Sequence, residues 1–410
     1  MKHIIEWKEN FYSQIDGTWQ KYDNINFNLE LASYQTTRFI RLYPLLVDVN
    51  ELLAVRINNK CHYKCTHCFI GANRGAVPLE EVSYERVISS IAKNKRAFVL
   101  FSGGDPVFHK DFKRMLEYCK NNNIVTVMES NLPGFGDPEK AKEYANLLDM
   151  VIIPMYSYNR EVYESVSQVE GSYDYIFKAI DNVQNFMPNT SINFVTIATR
   201  QIMDTFYETI EFLHENYKKS PLFIGASCFE GPSHSEKISP SFTEISETYK
   251  KVLRDFGDRC INLYTPICFL FPYHNRSQFD ELESINTEGL DIVDGVAEDV
   301  VYNKHECRGL VDKCKECNLN YMCDGLLDSY KEIYDAENEV LPIRDKEFLK
   351  SEHGNCRKCG KRFNGKKVTI ETKFSTENNG EIVYEQNRFL HKELCLECRD
   401  IVHNKLKDIN

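Results

Sequence analysis

The sequence lacks the long apolar runs, the low-complexity stretches and the excess of basic residues that characterise several large protein classes. No apolar run approaches the ~20 residues that a membrane-spanning helix needs. The N-terminus has no long apolar stretch before a small-residue cleavage site, so we expect no signal peptide. A net charge of −11 disfavours a general nucleic-acid binder. We therefore expect a cytoplasmic protein, and 410 residues suffice for two or three domains.

Cysteine, by contrast, is plentiful, with fifteen residues. In a chain expected to stay in a reducing compartment, this number argues against disulfides and for metal sites. Eleven of the fifteen cysteines fall into three clusters, at positions 61/65/68, 307/314/317/323 and 356/359/395/398.

The first cluster, Cys61, Cys65 and Cys68, follows an apolar run at 52–57 that predicts a buried strand. Three thiolates on one short loop can hold three irons of a 4Fe–4S cluster and leave the fourth iron open. The alternative is a structural zinc knuckle, but zinc prefers CxxC pairs and a fourth ligand.

The CxxxCxxC spacing resembles the signature of the radical S-adenosylmethionine (radical SAM) superfamily, which lies on the loop after the first barrel strand. The resemblance implies that the open iron binds the amino and carboxylate groups of S-adenosylmethionine. It also implies catalysis, in which the reduced cluster cleaves S-adenosylmethionine to a 5′-deoxyadenosyl radical that abstracts hydrogen from a substrate. Cys61, Cys65 and Cys68 are then both metal-binding and catalytic.

Residues 51–256 alternate apolar runs with amphipathic stretches, which predicts a parallel sheet with covering helices. The six runs are Leu52–Ile57, Ala97–Phe101, Ile124–Met128, Met150–Met155, Ile192–Ala198 and Leu222–Ala226. This count matches the open barrel of radical SAM enzymes. We expect an α/β fold with a partial (β/α)6 TIM-type barrel, whose functional residues lie at the carboxyl ends of the strands.

Two strand ends carry residues that resemble cofactor-binding motifs of the superfamily. Gly103-Gly104-Asp105-Pro106 resembles the GGEP motif that binds the methionine amino group, with Asp in place of Glu. Ser130 and Asn131 occupy the place where relatives contact the ribose and the methionine carboxylate, although a turn or a helix N-cap would look the same. His67 stands where relatives place an aromatic residue near the adenine.

The second cysteine cluster predicts another metal site. Its CxxC-x5-C-x-G string at Cys314, Cys317 and Cys323 resembles the auxiliary-cluster domains called SPASM or, in shortened form, Twitch. An auxiliary 4Fe–4S cluster needs four thiolates. Cys268 is the favoured fourth ligand and Cys307 the competitor. A zinc site is the alternative reading.

The chain divides into an N-terminal extension (1–50), the barrel (51–256), an auxiliary-cluster domain (257–345) and a C-terminal module (346–410). The spacing of Trp7, Phe11, Ile15 and Trp19 predicts one face of a helix in the extension. Two CxxC pairs separated by alternating strand patterns predict a zinc ribbon in the C-terminal module. The zinc ligands would be Cys356, Cys359, Cys395 and Cys398.

The function that these features predict is that of a radical SAM enzyme. The pattern Ile153-Pro154-Met155-Tyr156 followed by Gly171-Ser172-Tyr173-Asp174 resembles maturases that act on ribosomally made peptides, by crosslinking or epimerisation. The alternatives are a radical SAM enzyme for a small molecule or nucleotide in cofactor biosynthesis, and a non-catalytic iron–sulfur sensor with a nucleic-acid-binding zinc ribbon. The expected partners are the peptide or small-molecule substrate and an electron donor such as flavodoxin or ferredoxin, but no membrane.

Overall fold

The protein is described by a computed structural model, and its chain forms two compact units. One unit combines Met1–Val47 with Ile343–Asn410, and the other is Asp48–Pro342. The residues that the structure describes are 4–7, 10–15, 18–21, 52–68, 70, 81–94, 98–218, 220–226, 231–257, 259–263, 265–273, 278–279, 287–293, 296–302, 308–317, 323, 325–344, 368–378 and 381–392.

The N-terminal extension contains a three-stranded antiparallel sheet of β1 (Ile4–Trp7), β2 (Asn10–Ile15) and β3 (Thr18–Lys21). The helix predicted from Trp7, Phe11, Ile15 and Trp19 is therefore wrong. Only Phe11 and Ile15 share a strand, β2, while Trp7 lies on β1 and Trp19 on β3, so the spacing of four runs across two turns of the chain and not along one helix. Gly17, a poor helix former, stands within the predicted helix.

The second unit is built on one large sheet, which contains all six strands predicted from the sequence. Its strand order is β11-β10-β9-β8-β7-β6-β5-β4-β12-β13, and every neighbouring pair except β12–β13 is parallel. The strands are β4 (Leu52–Asn58), β5 (Phe98–Gly103), β6 (Val125–Glu129), β7 (Met150–Pro154), β8 (Ser191–Ala198), β9 (Leu222–Ala226), β10 (Cys260–Leu263), β11 (Gln278–Phe279), β12 (Thr287–Val293) and β13 (Val296–Tyr302). The α/β partial-barrel prediction is confirmed.

Helices follow the strands and cover one face of the sheet. They are α1 (Tyr84–Asn94), α2 (Phe112–Asn121), α3 (Pro138–Tyr144), α4 (Arg160–Ser167), α5 (Ser172–Phe186), α6 (Phe206–Asn216), α7 (Phe242–Phe256), α8 (Ile267–Leu270), α9 (Asp328–Lys331) and α10 (Ala336–Glu339). Among the described residues, no helix is long and apolar enough to cross a membrane.

On β4, alternation separates a face that packs on the helices from a face that carries a charged residue. Phe101 on β5 packs against Phe112 of α2, with ring centroids 5.4 Å apart, so this face contacts the helices. Val55 lies beside Phe101 in the sheet and is fully buried on the same face. The next residue, Arg56, points to the opposite face and forms an ion pair with Asp291 on β12, at 2.8 Å. This pair joins the first predicted strand to a strand that the sequence analysis did not predict.

Residues 257–302 contribute β10 to β13 to the barrel sheet. The following segment adds two short strands, β14 (Arg308–Gly309) and β15 (Leu326–Leu327), and then α9 and α10. It packs on α7 through Tyr330, whose ring lies 4.4 Å from that of Phe242. The Tyr330 hydroxyl also accepts a hydrogen bond from the Phe242 backbone N–H, at 3.1 Å.

The C-terminal module contains one antiparallel pair, β16 (Val368–Asn378) and β17 (Glu381–Lys392). These strands coincide with the two alternating stretches of the sequence. The four cysteines of the predicted zinc ribbon, Cys356, Cys359, Cys395 and Cys398, lie outside the described residues.

Candidate metal centre

The loop with the first three cysteines begins at the carboxyl end of β4 and is held by the last turn of α4. The Lys64 N–H donates to the Ser167 carbonyl at 2.9 Å, and the Thr66 N–H donates to the Val166 carbonyl at 3.0 Å. Carbonyl groups in the last turn of a helix have no partner within the helix. Backbone N–H groups of the cysteine loop donate to these carbonyls. The end of α4 therefore determines where the thiols lie.

The three thiols differ in their surroundings. Cys65 is buried, whereas Cys61 and Cys68 are partly exposed. Burial raises the pKa of the Cys61 thiol well above its usual value, and the nearby Asp105, Cys65 and Cys68 add to this shift. A metal bound to the sulfurs supplies positive charge, which favours the deprotonated thiolate. This charge offsets the effects of burial and of the neighbouring groups on the pKa. Three sulfur donors on one fixed loop fit a metal cluster that leaves one position open to another ligand.

Gly103 and Gly104 permit a close approach between the end of β5 and the chain that enters the cysteine loop. A Cβ atom at Gly103 would lie 2.2 Å from the Asn58 carbonyl oxygen, and one at Gly104 would lie 2.4 Å from the Lys60 carbonyl oxygen. Gly103 also has a φ of +139°, which other residues rarely adopt. In the structure these glycines are thus required by contacts within the protein itself.

The side chain of Asp105 is fully buried and accepts hydrogen bonds from the next strand end. Its carboxylate accepts from the Ser130 hydroxyl at 2.8 Å, from the Asn131 N–H at 3.0 Å and from the Val107 N–H at 3.2 Å. Burial raises the pKa of this carboxyl group to about 7, and the three hydrogen bonds partly offset the shift. The carboxylate therefore connects loops of the protein and is not accessible to a ligand.

The backbone of Asp105 bonds to the chain at the end of β4. Its N–H donates to the Lys60 carbonyl at 2.8 Å, and its carbonyl accepts from the Asn58 side-chain amide at 3.1 Å. At the same edge of the sheet Glu129, the last residue of β6, keeps its side chain exposed. Although the side chain reaches open space, the protein that surrounds the Glu129 carboxyl removes water from it, and this desolvation raises its pKa above the usual value.

The loop after β6 is held in a conformation that its sequence disfavours. Leu132 is buried and has a φ of +57°, in the left-handed region. Such a conformation costs a leucine about 1–3 kcal/mol, so surrounding contacts must stabilise it. The Leu132 N–H donates to the Ser130 hydroxyl at 2.8 Å, and the Leu132 carbonyl accepts from the Tyr175 hydroxyl at 2.9 Å. These bonds determine where Ser130 and Asn131 lie.

Tyr156, two residues after β7, brings the cysteine loop together with this second loop. Its hydroxyl lies 2.9 Å from the Cys65 sulfur and donates to the Asn131 side-chain carbonyl at 3.3 Å. The His67 ring contacts the Tyr156 ring edge-on, with centroids 5.5 Å apart. The His67 carbonyl accepts from the Ser233 hydroxyl at 2.7 Å. The sequence analysis included Tyr156 only in a family pattern, although its place at a strand end was a usable signal.

A second group of thiols lines one cavity, which Cys268 shares with Cys314, Cys317 and Cys323. Burial raises the pKa of the Cys268 thiol to about 12, and the other three cysteines contribute to the shift. Cys307, the competing ligand, lies outside the described residues. Four convergent thiols fit the donor set of a 4Fe–4S cluster or of a zinc ion. In the described part of the chain, no three or more histidine, cysteine or acidic side chains surround a point where one metal ion could bind.

Residues 55–213 match the family described as the radical SAM superfamily. Among curated proteins, the chain is 26% identical over 133 residues to a probable GTP 3′,8-cyclase of Methanocella arvoryzae, covering 32% of this chain and 42% of that protein. It is 23% identical over 168 residues to the mycofactocin maturase MftC of Mycolicibacterium smegmatis, covering 41% of this chain and 42% of the maturase. These matches therefore span about two-fifths of the relatives' own length.

Solved structures with a similar fold include SuiB of Streptococcus suis bound to S-adenosylmethionine. The TM-score is 0.48 at 16% identity, over 72% of this chain and 76% of that one. SuiB bound to its precursor peptide SuiA gives the same TM-score and identity, over 78% of this chain and 79% of that one.

We expect Asp105→Glu to destabilise the protein, although Glu is the residue that the family motif has at this position. The additional methylene has no space at a fully buried site, and overpacking costs about 1–3 kcal/mol. Thermal unfolding of the iron-free protein, followed by circular dichroism, measures the effect.

Asp137→Glu is the matched control for this experiment. Asp137 also precedes a proline and accepts from a backbone N–H two residues later, but its side chain is exposed. Any loss of capping is common to both variants, so the difference between them measures the cost of burial. Equal unfolding temperatures for the two variants would contradict the role assigned to Asp105.

Proposed function

We propose that the chain binds a 4Fe–4S cluster through Cys61, Cys65 and Cys68 and cleaves S-adenosylmethionine reductively, since residues 55–213 match the radical SAM superfamily. The observation that carries this proposal is the placement of three thiols on one fixed loop at the carboxyl end of β4. When bound, such a cluster supplies one electron to the sulfonium, whose S–C5′ bond breaks to give methionine and a 5′-deoxyadenosyl radical that abstracts hydrogen from the substrate.

The chain's own residues orient the cofactor and limit the access of water to it. Cys61, Cys65 and Cys68 supply three ligands, so that the remaining iron is open to the amino and carboxylate groups of S-adenosylmethionine. The backbone at Gly103 and Gly104 passes next to the entry of the cysteine loop, where the methionine part would lie.

Three further residues complete the cofactor-binding proposal. Ser130 and Asn131 border the same space, with Asn131 available through its side-chain amide. His67, which is partly exposed, can contact the adenine. Since the Asp105 carboxylate is buried, its contribution is to place Ser130 and Asn131, and the exposed Glu129 is the better candidate for contact with an ammonium group.

An auxiliary 4Fe–4S cluster is proposed at Cys268, Cys314, Cys317 and Cys323. The shared cavity favours Cys268 over Cys307 as the fourth ligand, because Cys268 already lies with the other three thiols. A cluster held by these four thiols would either accept an electron during the reaction or bind the substrate. For the C-terminal module, a zinc ion at Cys356, Cys359, Cys395 and Cys398 is proposed from the two CxxC pairs alone.

The proposed substrate is a ribosomally made peptide, which the enzyme would crosslink or epimerise. The support comes from the maturase-like pattern around Tyr156 and from the auxiliary thiols, since crosslinking releases a second electron that needs an acceptor. The curated relatives include both a maturase and a nucleotide cyclase, so a small molecule or nucleotide is the competing substrate class. An electron donor such as flavodoxin or ferredoxin would reduce the first cluster.

Cys65→Ala should abolish the formation of 5′-deoxyadenosine from S-adenosylmethionine under dithionite, because two thiolates cannot hold the cluster with one iron open. Chromatography with mass detection measures the product. Cys119→Ala, which truncates a fully buried thiol on α2, is the matched control and should leave the cleavage intact. Continued cleavage in a Cys61/Cys65/Cys68 triple alanine variant would rule out the proposed cluster.

Anaerobically reconstituted protein should bind about eight irons, and Cys314→Ala should lower this number by about four. The cleavage of S-adenosylmethionine without substrate should continue, because the first cluster does not use Cys314. Iron and zinc are measured by elemental analysis, with Cys260→Ala, another fully buried cysteine, as the control. If Cys314→Ala lowered the zinc content and left the iron unchanged, the auxiliary site would be a zinc site.

The substrate class is tested by incubating the reduced enzyme with a peptide encoded beside its gene. Crosslinking should give a product that lacks two hydrogen atoms. One of them appears in 5′-deoxyadenosine, and the other leaves as a proton while its electron enters the auxiliary site. Epimerisation in deuterated water should instead add one deuterium, detected by mass spectrometry. Unmodified peptides together with turnover of a nucleotide or small metabolite would replace the peptide proposal by the alternative.

A further inference from the structure

The Tyr156 hydroxyl lies between two groups of the proposed site that compete for its single hydrogen. One is the Cys65 sulfur at 2.9 Å, and the other is the Asn131 side-chain carbonyl at 3.3 Å. All three side chains are buried, with exposed fractions of 6% for Tyr156, 8% for Cys65 and 7% for Asn131. Water therefore has little access to any of them, and the hydrogen bonds among them are formed within the protein.

The number of hydrogens depends on whether Cys65 holds a metal. Without a metal, the Cys65 thiol can donate to the Tyr156 oxygen while Tyr156 donates to Asn131. A thiolate bound to iron has no hydrogen and can only accept. The Tyr156 hydrogen then has two acceptors, of which the charged sulfur is nearer and forms the stronger bond. Binding of the metal thus favours a hydrogen bond in which Tyr156 donates to Cys65, the reverse of the metal-free direction.

We propose that Tyr156 donates a hydrogen bond to the Cys65 thiolate of the loaded protein and thereby raises the reduction potential of the cluster, with Asn131 competing for the same hydrogen. The inference rests on the proposed function, because it requires the cluster at Cys61, Cys65 and Cys68. Tyr156 is in this view a positioning residue that acts through Cys65.

The physical reason lies in the charge that reduction adds. The electron that enters the cluster increases the negative charge on the cysteine sulfurs, and a donor at the sulfur stabilises that charge more in the reduced state than in the oxidised state. Burial strengthens the effect, because a hydrogen bond is electrostatically stronger away from water. A ligand that engages the Asn131 carbonyl would remove the competitor and give the Tyr156 hydrogen fully to the sulfur.

A purely structural role for Tyr156 makes a different prediction. Its ring packs against Tyr163 and His67, with centroid distances of 5.0 and 5.5 Å. Phenylalanine keeps these ring contacts and removes only the hydroxyl. If packing were the whole contribution of Tyr156, the Phe variant would bind iron with an unchanged reduction potential.

Tyr156→Phe should lower the ratio of reduced to oxidised cluster about tenfold at a fixed ambient potential, which is 59 mV for a one-electron couple. The measurement is a redox titration followed by electron paramagnetic resonance, with the iron content determined in parallel. Cys314→Ala as the common background removes the auxiliary signal. Tyr330→Phe is the matched control, since it removes another fully buried hydroxyl, one that accepts from the Phe242 N–H at 3.1 Å and donates to Glu339. This control should leave the potential unchanged.

A normally loaded Tyr156→Phe cluster with an unchanged potential would overturn the inference. If this variant does not bind iron, Asn131→Leu provides the test in its place. That substitution removes the competing acceptor and should raise the potential, so a value at or below that of the parent would overturn the inference. Failure of the proposed function is distinguishable, because the parent protein would then bind no iron at Cys61, Cys65 and Cys68 and form no 5′-deoxyadenosine.

Discussion

The burial of one carboxylate constrains the geometry of the whole candidate site. A fully buried Asp105 side chain is tolerated only when donors from the protein replace the water it has lost. These donors come from the loop after β6, while the backbone of Asp105 bonds to the chain that leaves β4. The ends of three neighbouring strands are therefore joined at a single residue. A shift of any one of the three loops would leave a buried polar group without a partner, which costs more than an ordinary hydrogen bond contributes.

Much of the barrel could be predicted from the sequence, because parallel strands that are buried on both faces appear as continuous apolar runs, as β7 and β9 do. All six predicted strands are present, from β4 to β9. The strands beyond them were missed because they are short or contain charges, as Asp291 on β12 shows, whose partner Arg56 lies on another strand. The N-terminal sheet was missed because the evenly spaced Trp7, Phe11, Ile15 and Trp19 lie on three short strands, and a spacing in the sequence does not reveal the turns between them. The short helix α4 was missed too, yet its last turn holds the cysteine loop.

In the site itself, spacing predicted the type of chemistry but not the direction of side chains. Consecutive thiols on one loop are close whatever surrounds them, so the group of Cys61, Cys65 and Cys68 follows from the sequence. Whether Asp105 faces a ligand or the protein depends on packing, which a motif does not encode. The same holds for Tyr156, whose contact with Cys65 joins residues 91 positions apart. The sequence favours Cys268 over Cys307 as the fourth auxiliary ligand, and the fold places Cys268 in the cavity with the other three thiols, whereas Cys307 lies outside the described residues.

A series of hydrogen bonds through residues 231–239 links the cysteine loop to the segment that follows the auxiliary thiols. Ser233 donates to the His67 carbonyl of the cysteine loop at 2.7 Å, and Ser239 donates to the Ser233 carbonyl at 2.8 Å. Tyr334, in the segment that follows the auxiliary thiols, donates to the Ser239 carbonyl at 2.6 Å.

Arg200 joins the same series, since it pairs with Glu244 of α7 and donates to the Tyr334 hydroxyl at 3.3 Å. The acceptors of these bonds are backbone carbonyls or side chains that have other partners. Movement of the cysteine loop or of the auxiliary segment would therefore break hydrogen bonds. The cysteine loop and the auxiliary segment are consequently held in a defined geometry. The fold therefore determines the distance between the two thiol groups.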